Sequence, residues 1–189
     1  ASNYGYPYSN VTGMVEVDGA KELVGILQNH AKGSRVALLA DDTLSSQKNA
    51  INYKSKLGID VTPVLVKTMA EWKRQFQAIQ SQYDIMLVGN VVGIDDFNPA
   101  EAEAFALEHA KIPSGSVQIA PMSYAILGYL KVPEEQGDWA AGAALEVLDG
   151  KAAGDIPIVK NTKGSIVINA RLATKANIEL PFELIQSAD

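Results

Sequence analysis

"VALLADDTLSSQ", residues 36–47, decides the fold. Five apolar residues, Val36 to Ala40, stop at two aspartates and a small polar turn. A strand that is apolar at consecutive positions is covered on both faces, as in a parallel sheet between helices. The stretch "RVALLA" (35–40) is repeated in kind by "VTPVLV" (61–66), "DIMLVG" (84–89), "SVQIA" (116–120) and "AILGYL" (125–130). Helical patterns lie between them. "DGAKELVGILQNHAKG" sets Leu23, Ile26 and Leu27 on one face, and "SSQKNAINYKSKLG" offers serine caps and a stop at Gly58. "TMAEWKRQFQAIQSQ" opens with Thr68 and Glu71 at capping-box spacing and buries Trp72, Phe76 and Ile79. "NPAEAEAFALEHAK" has Asn98 as cap and Pro99 at the first helical position. The rhythm predicts an α/β fold with a doubly wound, mainly parallel sheet.

Composition removes several functions. The 189 residues carry a net charge of −6, with the basic residues scattered, so no nucleic-acid surface is expected. No cysteine is present, which excludes disulfides, thiolate catalysis and cysteine–zinc sites. His30 and His109 lie far apart in amphipathic stretches and read as surface helix residues, so neither a metal site nor a cofactor is expected. No apolar run reaches membrane-spanning length, and "ASNYGYPYSN" at the start lacks a signal-peptide layout. The triplet Asn10-Val-Thr matches a glycosylation sequon, a pattern that also arises by chance.

Open α/β sheets bind ligands at the carboxyl ends of their strands. Here those ends are "ADDTLSSQ" (40–47), "GNVVGIDDFN" (89–98) and "APMSYA" (120–125). They nominate Asp41, Asp42, Thr43, Ser45, Ser46, Asn90, Met122 and Tyr124 as ligand-binding residues. Free N–H groups at the helix start beside Ser45 and Ser46 attract an anion. The same serines also serve as plain caps, and the aspartates as strand terminators.

Enzymatic readings find no support. A receiver domain needs a phosphoacceptor aspartate after the third strand, where Gly89 and Asn90 stand, and Lys131 comes too late to be its lysine. G-x-G-x-x-G, a Walker A loop and G-x-S-x-G are all absent. The pairs Asp41–Asp42 and Asp95–Asp96 are sequence neighbours and imply no acid/base dyad. Polar loops over a rigid sheet, without a nucleophile, fit solute binding and no catalysis.

The last third adds a resemblance. "EEQG", an Ala-rich helix ending "LDGK", then "DIPI", "INARLA" and "IELPFELIQSAD" follow in order, and "YSNVTGM" stands at residues 8–14. Together these resemble the ABC-transporter substrate-binding proteins of the tryptophan-importer-like group, with a type I periplasmic-binding-protein fold. The resemblance implies two lobes with a small polar solute, such as an amino acid, in the cleft between them. It also implies ABC permease subunits as partners and a periplasmic or other extracytoplasmic location. The loop at Asp41 to Ser46 and those near Asn90 and Met122 to Tyr124 would face the cleft. A signalling protein sensing a ligand with the same fold is the alternative.

This chain departs from the family at its start. Nine residues precede the Asn-Val-Thr-Gly segment, where the family has most of an amino-terminal lobe. The expected division is therefore a lead-in segment and first helix (1–31), a carboxyl-terminal α/β lobe (32–131), and a crossover helix, return strands and terminal helix (132–189). With that lobe largely missing, Ala140, Ala144, Val147 and Leu148 would meet water, so a dimer or swapped assembly is expected.

Overall fold

A computed structural model describes residues 8–188. In chain order the first elements are β1 (Met14–Val15), α1 (Ala20–Gln28), β2 (Val36–Asp41), α2 (Leu44–Leu57), β3 (Val61–Val66), α3 (Met69–Gln82), β4 (Ile85–Val88) and α4 (Pro99–His109). They are followed by β5 (Ser114–Ser116), β6 (Leu127–Lys131), α5 (Pro133–Leu148), β7 (Val159–Lys160), β8 (Gly164–Ile168), α6 (Ala170–Lys175) and α7 (Phe182–Gln186). They fall into two compact units. One joins the residues up to Asp18 with Lys131–Gly164, and the other joins Gly19–Leu130 with the residues from Ser165 on. This grouping differs from three consecutive segments: α1 and the closing helices join the large sheet, while α5 and β7 group with β1.

The larger unit holds a six-stranded sheet in the order β3-β2-β4-β5-β6-β8. β2 runs parallel to both β3 and β4, with Val36 opposite Val61 and Ile85. β4 and β5, and β5 and β6, are also parallel. The α/β class and the mainly parallel sheet are therefore as the apolar strands imply. Side chains alternate across β2. Ala37 and Leu39 point into a core with Trp72, Phe76, Ile79, Met86 and Leu172. Val36, Leu38 and Ala40 point into a second core with Leu23, Leu27, Tyr53 and Leu127. Burying each such large apolar side chain contributes roughly 1.5–3 kcal/mol, so two covered faces fix the sheet firmly.

Several local expectations change. The fifth strand is "SGS" (114–116), not "SVQIA", and a 3₁₀ turn spans Ala120–Tyr124. Close packing is the reason: a Cβ on Gly115 would lie 2.8 Å from both Leu127 O and Leu23 Cδ1. Apolar content alone misses a strand chosen for small size. The cap of α2 is Thr43, whose hydroxyl accepts from Ser46 N–H, so Ser45 and Ser46 sit inside the first turn. Thr68 does cap α3. Glu71 reaches back one residue further than in a capping box, accepting from Lys67 N–H at 2.8 Å. "INARLA" turns helical after β8 because the Asn169 side chain accepts from Leu172 N–H. His30 follows α1 rather than lying in it, and His109 is half-buried, stacked on Phe105 with ring centroids 4.0 Å apart.

The smaller unit is tied internally. β1 and β7 pair in parallel, Met14 opposite Val159. Lys131 is ion-paired with Glu16 and with Asp18. Glu135 accepts from Thr162 N–H and hydroxyl, both at 2.8 Å, and from Lys163 N–H at 2.9 Å.

Candidate functional site

The sheet order has a switch point: β2 is flanked by β3, which follows it, and by β4, which comes later. Connections leave the two strands toward opposite faces there, and a crevice opens at their carboxyl ends. A narrow recess, about 20 Å³ in volume, lies there within the larger unit. Its polar lining is Ser46 and Asn49 from α2, Asn90 after β4, Ser116 ending β5, and Gln118. Leu23, Leu38, Leu87 and Val88 supply apolar lining. Gly89 is required for the shape, because a Cβ there would stand 2.8 Å from Ala40 Cβ. Among the described residues no charged side chain lines the recess.

Asp41 holds this end of the sheet together. It is fully buried. One carboxylate oxygen accepts from the Thr43 hydroxyl at 2.9 Å and the Ser46 hydroxyl at 2.5 Å. The other accepts from Gly93 N–H at 2.8 Å, and Asp41 N–H donates to Asn90 O at 2.8 Å. Asp41 thus ties the β2 loop to the β4 loop with both oxygens occupied by the chain's own donors. Asp42 turns the other way, accepting from Gln47 at 2.8 Å and pairing with Lys67 at 3.4 Å. Those two partners hold its carboxyl below the usual range.

Among the nominated residues, Ser46 and Asn90 line the recess together. Thr43 caps α2, and Ser45 is exposed on its first turn. Met122 and Tyr124 lie in the core under α3 and α4. The Tyr124 ring meets Trp72 edge-on at 5.5 Å and Phe97 at 5.7 Å, and burial raises its phenol pKa. Neither Met122 nor Tyr124 lines the recess.

No family model matches the chain. A tyrosine-binding protein of Clostridioides difficile (strain R20291) is 26% identical to it over 176 residues, covering 86% of this chain and 48% of the relative. This chain thus spans about half the length of that protein. A ligand-free, open substrate-binding protein with adhesive properties from Clostridium difficile superposes with a TM-score of 0.71 at 16% identity, over 93% of this chain and 61% of the other. An ABC domain from Streptococcus pneumonia in complex with L-Trp gives a TM-score of 0.56 at 20% identity, over 95% and 64%.

The chain has the fold of substrate-binding proteins.

That fold directs attention to residues the sequence pattern passed over. Asn49 and Tyr53 lie one and two turns into α2, where their spacing from Ser46 reads as ordinary helix. Ser116 and Gln118 lie where an apolar strand was expected. The available signal was the spacing 46, 49, 53, which sets three polar-tipped side chains on one helix face toward the crevice. Among the described residues no cluster of three or more His, Asp or Glu could hold a metal ion, and no helix is long and apolar enough to cross a membrane.

Proposed function

We propose that this chain binds an amino acid, of the aromatic class, as part of a solute-binding protein serving an ABC importer. The observation that carries the reading is the uncharged polar lining of Asn49, Asn90, Ser116 and Gln118 over an apolar floor at the switch point. Amide and hydroxyl groups donate and accept, so they serve both the ammonium and the carboxylate of a zwitterion. Leu23, Leu38, Leu87 and Val88 offer an apolar surface to a side chain. Asp41 and Asp42 are engaged within the protein, so selectivity rests on neutral hydrogen bonds. Tyrosine and tryptophan are named as ligands of two similar proteins, which supports the choice of class. Permease subunits as partners and an extracytoplasmic location belong to the same proposal.

Isothermal calorimetry with a panel of L-amino acids tests it. Heat is expected with L-tyrosine or L-tryptophan and is lost on Asn90→Ala. Silence across the whole panel would refute the assignment.

Self-association is part of the proposal. Ala140 and Ala144 are exposed along α5, Leu145 is 63% exposed and Leu148 is 81% exposed. Apolar surface of this kind gains about 25 cal/mol for each Å² removed from water. A dimer that hides this face should appear by light scattering at high concentration and dissolve on Leu145→Gln/Leu148→Gln. A monomer under all conditions would contradict it.

A further inference from the structure

At the other end of the same sheet, beside the residues that lead into β2, β4 and β5, lies a second recess of about 500 Å³. Lys32, Arg35 and Lys111 line it as fixed cations, His30 stands among them, and Asp84 is its one carboxylate among the described residues. Three cations therefore face one acid, on a chain with 22 acidic and 16 basic residues.

The lone carboxylate is already used. Asp84 accepts from Arg35 Nε at 2.9 Å, from Arg35 Nη2 at 3.1 Å and from Arg35 N–H at 2.9 Å. Lys32 and Lys111 have no acidic partner within ion-pair distance among the described residues.

The loops carrying these cations are held in place. Gln28 donates to Gly33 O at 2.8 Å. Gly33 packs so closely on Asp84 that a Cβ would lie 2.6 Å from its Oδ2. Buried Gln80 accepts from Lys111 N–H at 2.8 Å and Ile112 N–H at 3.2 Å. Lys32 and Lys111 are thus carried on anchored backbone at the rim of one recess.

We propose that this recess binds a small, multiply charged anion of the phosphate or pyrophosphate kind. Its volume lies in the range of small-molecule pockets. The Arg35 fork is committed to Asp84, so the remaining recognition comes from two lysines, which act on phosphoryl oxygens as point charges. The site lies at the opposite strand ends from the proposed amino-acid recess and does not depend on that reading.

The test is calorimetry of the whole chain with inorganic pyrophosphate at low ionic strength. Binding is expected, weakening with added salt as exposed charges are screened. Lys32→Gln/Lys111→Gln should lower the affinity about tenfold, the sum of two exposed charge contacts. Lys48→Gln/Lys160→Gln removes the same charge elsewhere and should change nothing. Absence of binding, or equal weakening in the two double variants, would overturn the proposal. Binding of L-tyrosine or L-tryptophan, where present, should be the same before and after Lys32→Gln/Lys111→Gln.

Discussion

Helices α3 and α5 are written in similar language and end differently. Both carry apolar residues at helical spacing behind an acidic first turn. α3 buries Trp72, Phe76 and Ile79 almost completely. α5 buries Ala143 alone among its apolar residues, with Leu145 and Leu148 bare. An apolar stripe states that a face is to be covered; what covers it is a property of the neighbours. α3 has a sheet beneath it, whose Met86 and Val88 meet its aromatic residues. The face of α5 holding Leu145 and Leu148 has no such cover among the described residues.

Substitutions can break that contrast. Trp72→Ala or Phe76→Ala should cost about 3–5 kcal/mol in urea unfolding, because each empties a packed core site. Leu148→Ala on the bare face should stay within about 0.5 kcal/mol. Equal costs at Trp72 and Leu148 would mean the faces are not different. Trp72→Phe sharpens the point. The Trp72 indole N–H is buried and has no hydrogen-bond partner among the described residues. Removing it takes away an unsatisfied donor whose burial costs about 1–3 kcal/mol. The Phe variant should therefore lose far less than the Ala variant.

Asp41→Ala comes next in size. It deprives Thr43, Ser46 and Gly93 N–H of a buried acceptor. A loss of about 1–3 kcal/mol is expected, together with weaker solute binding through a loosened β2 loop. Unchanged melting would show that the Asp41 tie is dispensable.

Acid provides a gentler probe, and it compares the two units directly. In the larger unit, the hydrogen bonds and charge of Arg35 lower the Asp84 pKa. In the smaller unit, burial works to raise the Glu135 pKa. The N–H groups of Lys163 and Thr162, with the Thr162 hydroxyl and the Lys163 charge, outweigh it, and the net shift is downward. A carboxyl depressed in the folded state contributes stability in full above its unfolded pKa, near 4. That contribution is lost as pH falls through the folded value. Melting temperature should therefore decline below about pH 4, and less steeply in Asp84→Asn and Glu135→Gln. Identical acid profiles for wild type and both variants would contradict these assignments.

The fold was largely legible, because two-sided burial writes continuous apolar strands and capped helices between them. Thr68, Asn98 and Pro99 punctuate α3 and α4 where the pattern puts them. β5 was illegible because its residues were selected for being small against Leu23 and Leu27 rather than for being apolar. The candidate site was legible only as a location. The loops after β2 and β4 do flank the recess, and Ser46 and Asn90 line it. Asp41 looked like a gripping group because a carboxylate after a strand reads the same whether it points outward or ties two loops together. Tyr124 was expected to face the cleft, but the turn at Ala120–Tyr124 aims it into the Trp72–Phe97 cluster.

The proposed solute would sit at the switch point between β2 and β4. The most direct measurement is an amide-resolved nuclear magnetic resonance titration of the chain with L-tyrosine and L-tryptophan. Shifts should concentrate at Asn49, Asn90, Ser116 and Gln118. A spectrum that stays still at those four amides while ligand is added would contradict solute binding at the switch point.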